Sequence, residues 1–282
     1  MRDIVAWMVF IVLQILFIPL AIVGIGLSMY AQFVVSKRLG VSGTAAEIAG
    51  ERLIMHRFGL REDRATGQLM RALPNGSVIG GWLILFPWYL RYKISGKNVV
   101  FPVISASGKE TVANMIADRT VAIDRIIKKS SSQVEQFVSL GAGYDTRCYG
   151  NLKSGRLQFF ELDQAATQRL KRASLQKAGI DASHVHFIEV DFSSANWAEE
   201  LIKAGYAPSK TSLFLWEGVT MYLSEEAVRK TLRAIKSVAT SGSIIVCDFN
   251  AKSFITGKHS RRGSAITKAA NLSGEKMGFG LD

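Results

Sequence analysis

The chain has 282 residues, 48% of them apolar, and 35 Lys and Arg against 23 Asp and Glu give a formal charge of +12. The length admits one large domain or two small ones, and the apolar share is high for a soluble protein. The basic residues are scattered without the aromatic-basic pattern of an RNA-binding module, so no nucleic-acid partner is expected, and the isolated thiols Cys148 and Cys247 exclude a disulfide framework and lack metal-ligand spacing.

From Ile4 to Ser36 no residue is charged, a run longer than the roughly 20 apolar residues that cross a bilayer. A cleaved secretory signal would have a core of roughly 7 to 15 residues behind a basic lead, whereas Arg2 here is followed at once by Asp3. Residues 1–36 are therefore expected to be an uncleaved transmembrane anchor, kinked at Pro19 or at Gly24 and Gly26. Lys37, Arg38, Arg52, Arg57, Arg61, Arg64 and Arg71 all follow the run. That bias predicts a single pass with the body facing the cytoplasm, and it explains the positive charge as attraction to anionic membrane lipid.

Residues 37–118 form a helical, substrate-side region. Within it VIGGWLILFPWYL, from Val78 to Leu90, is too short for a comfortable span. It predicts a helix that lies on the membrane or lines a substrate pocket, with Arg91 and Lys93 snorkelling from its end.

From Gln136 apolar strands alternate with helical segments. The predicted strands are QFVSL (136–140), RLQFFEL (156–162), VHFIEV (185–190), SLFLWE (212–217) and SIIVCDF (243–249). Helices fall around Gln164 to Lys177, Ala195 to Ala204 and Glu225 to Ala239. The last has Ser224 as N-cap, Glu225 and Glu226 in its first turn, and Val228, Leu232, Ile235 and Val238 on one face. This repetition predicts an α/β fold: a Rossmann-like, doubly wound, mostly parallel sheet over residues 119–282 with flanking helices.

Such a sheet binds its ligand at the carboxyl ends of its strands. The first predicted strand runs into Gly141-Ala142-Gly143, where glycines permit a sharp turn and a close backbone approach. Alone this is a weak signal, since Gly-x-Gly loops are common and the third glycine of the dinucleotide fingerprint is Thr146 here. About 20 residues on, the second strand ends in Glu161 and Asp163, placed to hold two ribose hydroxyls. The third ends in Asp191-Phe192 and the fourth in Glu217-Gly218. A solvated acid at a loop start accounts for any one of these; the set describes one rim.

Together DRTVAID (118–124), SLGAGYDTRCY (139–149), FFELDQ (159–164), EVDF (189–192) and LWEGVTMYL (215–223) resemble the S-adenosylmethionine-dependent methyltransferases of the leucine carboxyl methyltransferase family. GTAAEIAGERLIMHRFG, from Gly43, is similar to that family's N-terminal helix. The resemblance implies S-adenosyl-L-methionine as cofactor, with Arg119 pairing its methionyl carboxylate. By the same resemblance Gly141, Ala142 and Gly143 contact it through backbone, Asp163 rather than Glu161 binds its ribose, Asp191 and Phe192 read its adenine, and Glu217 faces its methionyl end. Tyr222 would pack beneath, Asp145 would cap the next helix, and Arg147 would support neighbouring acids.

The implied reaction is direct methyl transfer to an oxygen of a small-molecule or protein acceptor. A carboxylate needs no general base, so no catalytic residue is named; a hydroxyl would need one, with His184, His186 or Tyr222 as weak candidates. The membrane span points to a lipophilic or membrane-bound acceptor. Two other readings are a nicotinamide-dependent dehydrogenase, disfavoured by Thr146, and a non-catalytic membrane protein keeping a nucleotide fold. Sheets of this type normally finish with two more strands, whereas the Gly-, Ser- and Lys-rich sequence after Phe249 predicts no strand pair, leaving the C-terminal strands missing and the fifth strand as an edge.

Overall fold

In the computed structural model, residues 1–98, 103–106, 109, 111, 114–150, 152, 156–192, 197–256 and 275–282 are described. In chain order they form α1 (Arg2–Met29), a π-helical turn (Tyr30–Val35), α2 (Ser36–Leu39), α3 (Gly43–Arg57), α4 (Arg64–Ala72), α5 (Val78–Ser95) and α6 (Met115–Ser130). There follow β1 (Gln136–Leu140), β2 (Gln158–Asp163), α7 (Ala165–Lys177), β3 (Val185–Glu189), α8 (Trp197–Lys203), β4 (Ser212–Trp216), α9 (Glu225–Val238), β5 (Ile244–Cys247) and α10 (Lys252–Ile255).

The strands make one parallel sheet in the order β3-β2-β1-β4-β5. β1 and β4 are buried along their whole length, which is why they read as unbroken apolar runs. Successive side chains face opposite sides of the sheet. Val138, Leu140, Phe160, Phe214 and Trp216 pack on Trp197 and Leu201 of α8 and on Val228, Ile235 and Val238 of α9. On the other side Phe137, Phe159, Leu213 and Leu215 meet Ile123 and Ile127 of α6. Each fully buried side chain of this size contributes roughly 1.5–3 kcal/mol, so these two layers hold the sheet. The predicted cap of α9 is present, with Ser224 accepting from the Ala227 N–H. The expected start of α8 at Ala195 and the sequence from 257 to 274 lie outside the described residues.

A third core joins α3, α4 and α7 to the sheet through Ala46, Ala49, Leu53, Leu69, Met70, Leu73, Tyr144 and Leu175. It carries α3 across the carboxyl end of β1. The described C-terminal residues return to the same end: the Gly278 N–H donates to Met221 O, Lys252 N–H to Leu281 O, and the rings of Phe249 and Phe279 meet at 6.1 Å.

The two apolar segments pack against each other, a contact the sequence does not announce. α5 extends to Ser95 and lies antiparallel along α1, with Trp88 against Trp7 and Phe10, and Phe86 against Phe17. α1 is helical through Pro19. Gly24 faces Gly80, and a Cβ on Gly24 would lie 2.7 Å from Gly80 O, so this glycine serves close helix contact. Arg91 does not snorkel; it is 2% exposed, pairs with Asp3 at 3.2 Å and sits 4.1 Å over the Trp7 ring. A buried guanidinium needs such partners, and they came from α1, far off in sequence.

Candidate functional site

The strand order reverses between β1 and β4, and the loops leaving these strands face each other there. The Gly141 and Ala142 N–H groups both donate to Leu162 O, folding the first loop over the end of β2. Gly141 has φ +70° and a Cβ on it would overlap Val219 of the β4 loop, while Gly143 has φ +46° and a Cβ there would stand 3.2 Å from Ala45 Cβ of α3. Only glycine takes that backbone without strain and leaves the space free.

Asp163 closes this loop from β2. Its carboxylate accepts the N–H groups of Gly143 and Gln164, and burial raises its pKa against those two hydrogen bonds. Glu161 points elsewhere: it is 1% exposed and forms a buried pair with Lys171 at 2.7 Å. Asp191 is exposed just past β3. Phe192 is buried in the core with its ring 6.1 Å from Trp197.

Glu217, one residue past β4, is gripped by arginines from three directions. It accepts from Arg52 Nη2 of α3 at 2.9 Å, Arg119 Nε of α6 at 3.1 Å and Arg147 Nη1 at 2.6 Å. Burial alone would push its carboxyl up, but Arg147, Arg52 and Arg119 hold it well below the ordinary carboxylate range. Asp145 is held low in the same way, burial being outweighed by Arg147 and Arg52. Arg119 also donates to Asp248 Oδ2 at 2.8 Å, and Asp248 Oδ1 accepts the Gly218 N–H at 2.7 Å. Burial opposes the Arg119 charge, yet Glu217 and Asp248 raise its pKa. Arg147 reaches on to Asp124, which also binds Arg61.

Sequence reasoning thus placed Gly141, Ala142, Gly143 and Asp163 in one contact set and Arg119 and Glu217 in another, the two joined where Gly141 meets Val219. It missed Arg52, Asp124 and Asp248. Asp248 follows the fifth strand, so the strand-end rule that found the other acids reaches it as well. Arg52 stands in a helix without a distinctive pattern and carries no local signal. Thr146, where a dinucleotide site has its third glycine, is buried and donates to Asp63 of the α4 cap. The loop then enters a short 3-10 turn, Arg147–Tyr149, instead of a long helix.

This geometry fits a sulfonium nucleoside. The glycine pair leaves a backbone cradle, each Asp163 oxygen keeps a lone pair for a hydroxyl, and Arg119 and Glu217 offer a guanidinium and a carboxylate for an amino-acid end.

The leucine carboxyl methyltransferase family profile matches residues 96–236, half of the chain. The chain belongs to the leucine carboxyl methyltransferase family. The matched segment holds Arg119, the glycine loop, Asp163 and Glu217. YktD of Bacillus subtilis, named "Putative S-adenosyl-L-methionine-dependent methyltransferase YktD", is 35% identical over 51% of this chain and 48% of its own. A Mycobacteroides abscessus protein with the same description is 32% identical over 55% of this chain and 52% of its own. The chain therefore spans about half the length of these curated relatives. Among solved structures, a DUF574 family protein from Streptomyces avermitilis aligns at 12% identity with a TM-score of 0.44, over 59% of this chain and 64% of that one, too slight a likeness to carry argument.

Proposed function

We propose that this family member is an S-adenosylmethionine-dependent methyltransferase that methylates an oxygen, a carboxylate in the first instance, on a lipophilic or membrane-proximal acceptor. The observation that carries the reading is the joined rim, in which the Gly141–Gly143 loop is closed by Asp163 and abuts the Arg119–Glu217 pair. When bound, S-adenosylmethionine supplies an electrophilic methyl group on a sulfonium. Asp163 would hold the ribose hydroxyls, the Gly141–Gly143 backbone, its N–H groups already tied to Leu162 O and Asp163, would leave room for the nucleoside, and Arg119 would orient the methionyl carboxylate. Holding reactants in line in a closed site is worth on the order of 7–11 kcal/mol.

The proton inventory favours a carboxylate acceptor. Tyr222 is pushed up to about 12, chiefly by burial, and is a poor proton acceptor at neutral pH. His184 bonds Cys148 O and His186 stacks on Phe160, both at the entry end of β3 and away from the rim. An ionised carboxylate needs neither.

Membrane attachment through α1 belongs to the same reading. Arg2–Leu39 is a continuous helical stretch long and apolar enough to cross a bilayer, with an 18-residue window of mean hydropathy 2.8 that is only 11% buried. Ile4, Met8, Ile11, Ile15, Leu16 and Ile22 are each more than half exposed. α3 runs along the far side of α5, placing Arg57 over Trp82 and Phe58 against Tyr89 and Tyr92. A perpendicular crossing deep enough to take α5 along would draw the charged Arg57 side chain into hydrocarbon at a cost of several kcal/mol. In place of the single pass expected from the sequence, we infer that α1 is embedded along its exposed outer face; the basic residues that follow it support a body at the cytoplasmic surface.

One experiment reads both parts. Membranes from cells making the full chain are washed in high salt and incubated with S-adenosylmethionine labelled in the methyl group. The chain is expected to stay with the membranes and to place label in alkali-labile material, as a methyl ester requires. Release by salt alone removes the membrane part of the reading, alkali-stable label replaces the carboxylate with a hydroxyl, and no incorporation removes the enzyme.

A further inference from the structure

A cavity of about 330 Å³ lies between α3 and α5, roofed at one end by the π-helical turn that follows α1. Its wall is apolar: Leu53, Ile54, Phe58, Trp82, Leu85 and Tyr89. That volume is within the range of small-molecule sites. Neither the cofactor rim nor the sheet uses it. At the turn end Gln32 donates to Glu47 at 2.7 Å, and Ser28 bonds Ser77. π-helical turns within longer helices recur at functional sites, and this one brings Gln32 to the cavity mouth.

The cavity also contains a cation that forms no ion pair among the described residues. Arg57 lines it, half-buried, with its guanidinium carbon 4.5 Å above the Trp82 ring. Its electrostatic neighbours are another cation, Arg71, and the Tyr89 hydroxyl. Glu47 is taken up by Gln32, and Glu51, which also lines the space, has an interaction of its own. Two other covered arginines in or beside α3 differ: Arg52 and Arg61 each hold two carboxylates. A half-buried guanidinium in an apolar chamber is costly without an anion.

We propose that this cavity binds a single-chain long-chain carboxylate, a free fatty acid, with its chain along Ile54, Leu85 and Tyr89 and its head group on Arg57. The planar guanidinium fork suits a carboxylate, one chain suits the volume, and the lipid-facing α1 lies directly behind α5. The site is not the methyl-acceptor site. Arg52 and Arg57 lie roughly 140° apart round α3, with Arg52 turned to Glu217 and Arg57 to Trp82. Ligand binding here is independent of methyl transfer, and cofactor affinity measured on the same samples separates the two.

The test uses the full chain in maltoside micelles with cis-parinaric acid, a fluorescent fatty acid, read by energy transfer from tryptophan. Saturable binding displaced by palmitate is expected. Arg57→Leu should weaken it at least about tenfold, the loss of one charge-assisted contact. Gly81→Leu provides a variant that keeps the fold: Gly81 lines the cavity and a Cβ there meets nothing within 4 Å, so the new side chain fills the space. It should abolish saturable binding while leaving S-adenosylmethionine affinity unchanged. Equal binding in wild type, Arg57→Leu and Gly81→Leu would mean partition into micelles and overturn the proposal. Displacement by dodecanol or lysophosphatidylcholine as strong as by palmitate would overturn its charged half.

Discussion

Glu217→Gln is expected to lower stability by about 3 kcal/mol, because removing one charge from a buried ionic cluster leaves its partners uncompensated. Glu217 is 6% exposed and faces Arg52, Arg119 and Arg147, so the variant buries three guanidiniums with one acid fewer between them. For a body of this size the loss corresponds to a fall of roughly 6–12 °C in thermal midpoint, measured on the detergent-solubilised full chain. The pH dependence has a definite sign. Glu217 and Asp145 are held below their unfolded values, so their stabilisation is fully present above the ordinary carboxylate range near pH 4. It is lost as pH falls through that range toward their folded values. Glu161 and Asp163, raised chiefly by burial, act in the opposite sense. The informative quantity is therefore the difference between wild type and variant: it should be largest near neutrality and shrink below about pH 4. A pH-independent difference, or a midpoint unchanged at pH 7, would contradict the cluster.

Arg119→Ala is expected to weaken binding of S-adenosylhomocysteine by about 10- to 100-fold, the worth of a charge-assisted pair. Because Arg119 also ties Glu217 to Asp248, a general loosening of the rim must be told apart from loss of a ligand contact. 5′-Methylthioadenosine, which lacks the amino-acid end, makes that distinction. Its affinity should be little changed in Arg119→Ala, and Arg119→Lys, which keeps the charge without the fork, should fall between. Equal losses for both ligands would make Arg119 a structural residue only, and unchanged affinity for both would remove it from the site.

How much of this was legible beforehand follows from where the information sits. β1 was readable to the residue, since QFVSL is buried on both faces and stops at a glycine. β2 begins at Gln158 and not Arg156, and β5 ends at Cys247, because ladder pairing sets strand ends and composition does not. The glycine loop and Asp163 were legible as a strand-end motif. The arginine cluster was not: Arg52 and Glu217 are 165 residues apart, and no local period records a charge pair between elements. The α1–α5 pairing was hidden for a related reason. Each segment reads as apolar by itself, and only their contact turns Gly24 into a packing residue and Arg91 into a buried partner of Asp3.

The fold, the family and the rim converge on one claim, that the strand tips around Gly141, Asp163 and Glu217 hold S-adenosylmethionine. Titration calorimetry on the full chain in maltoside micelles tests it most directly. Saturable one-to-one binding of S-adenosylmethionine, lost in Asp163→Ala and not reproduced by NAD, is the predicted result. No binding, equal binding by Asp163→Ala, or preference for NAD would contradict it.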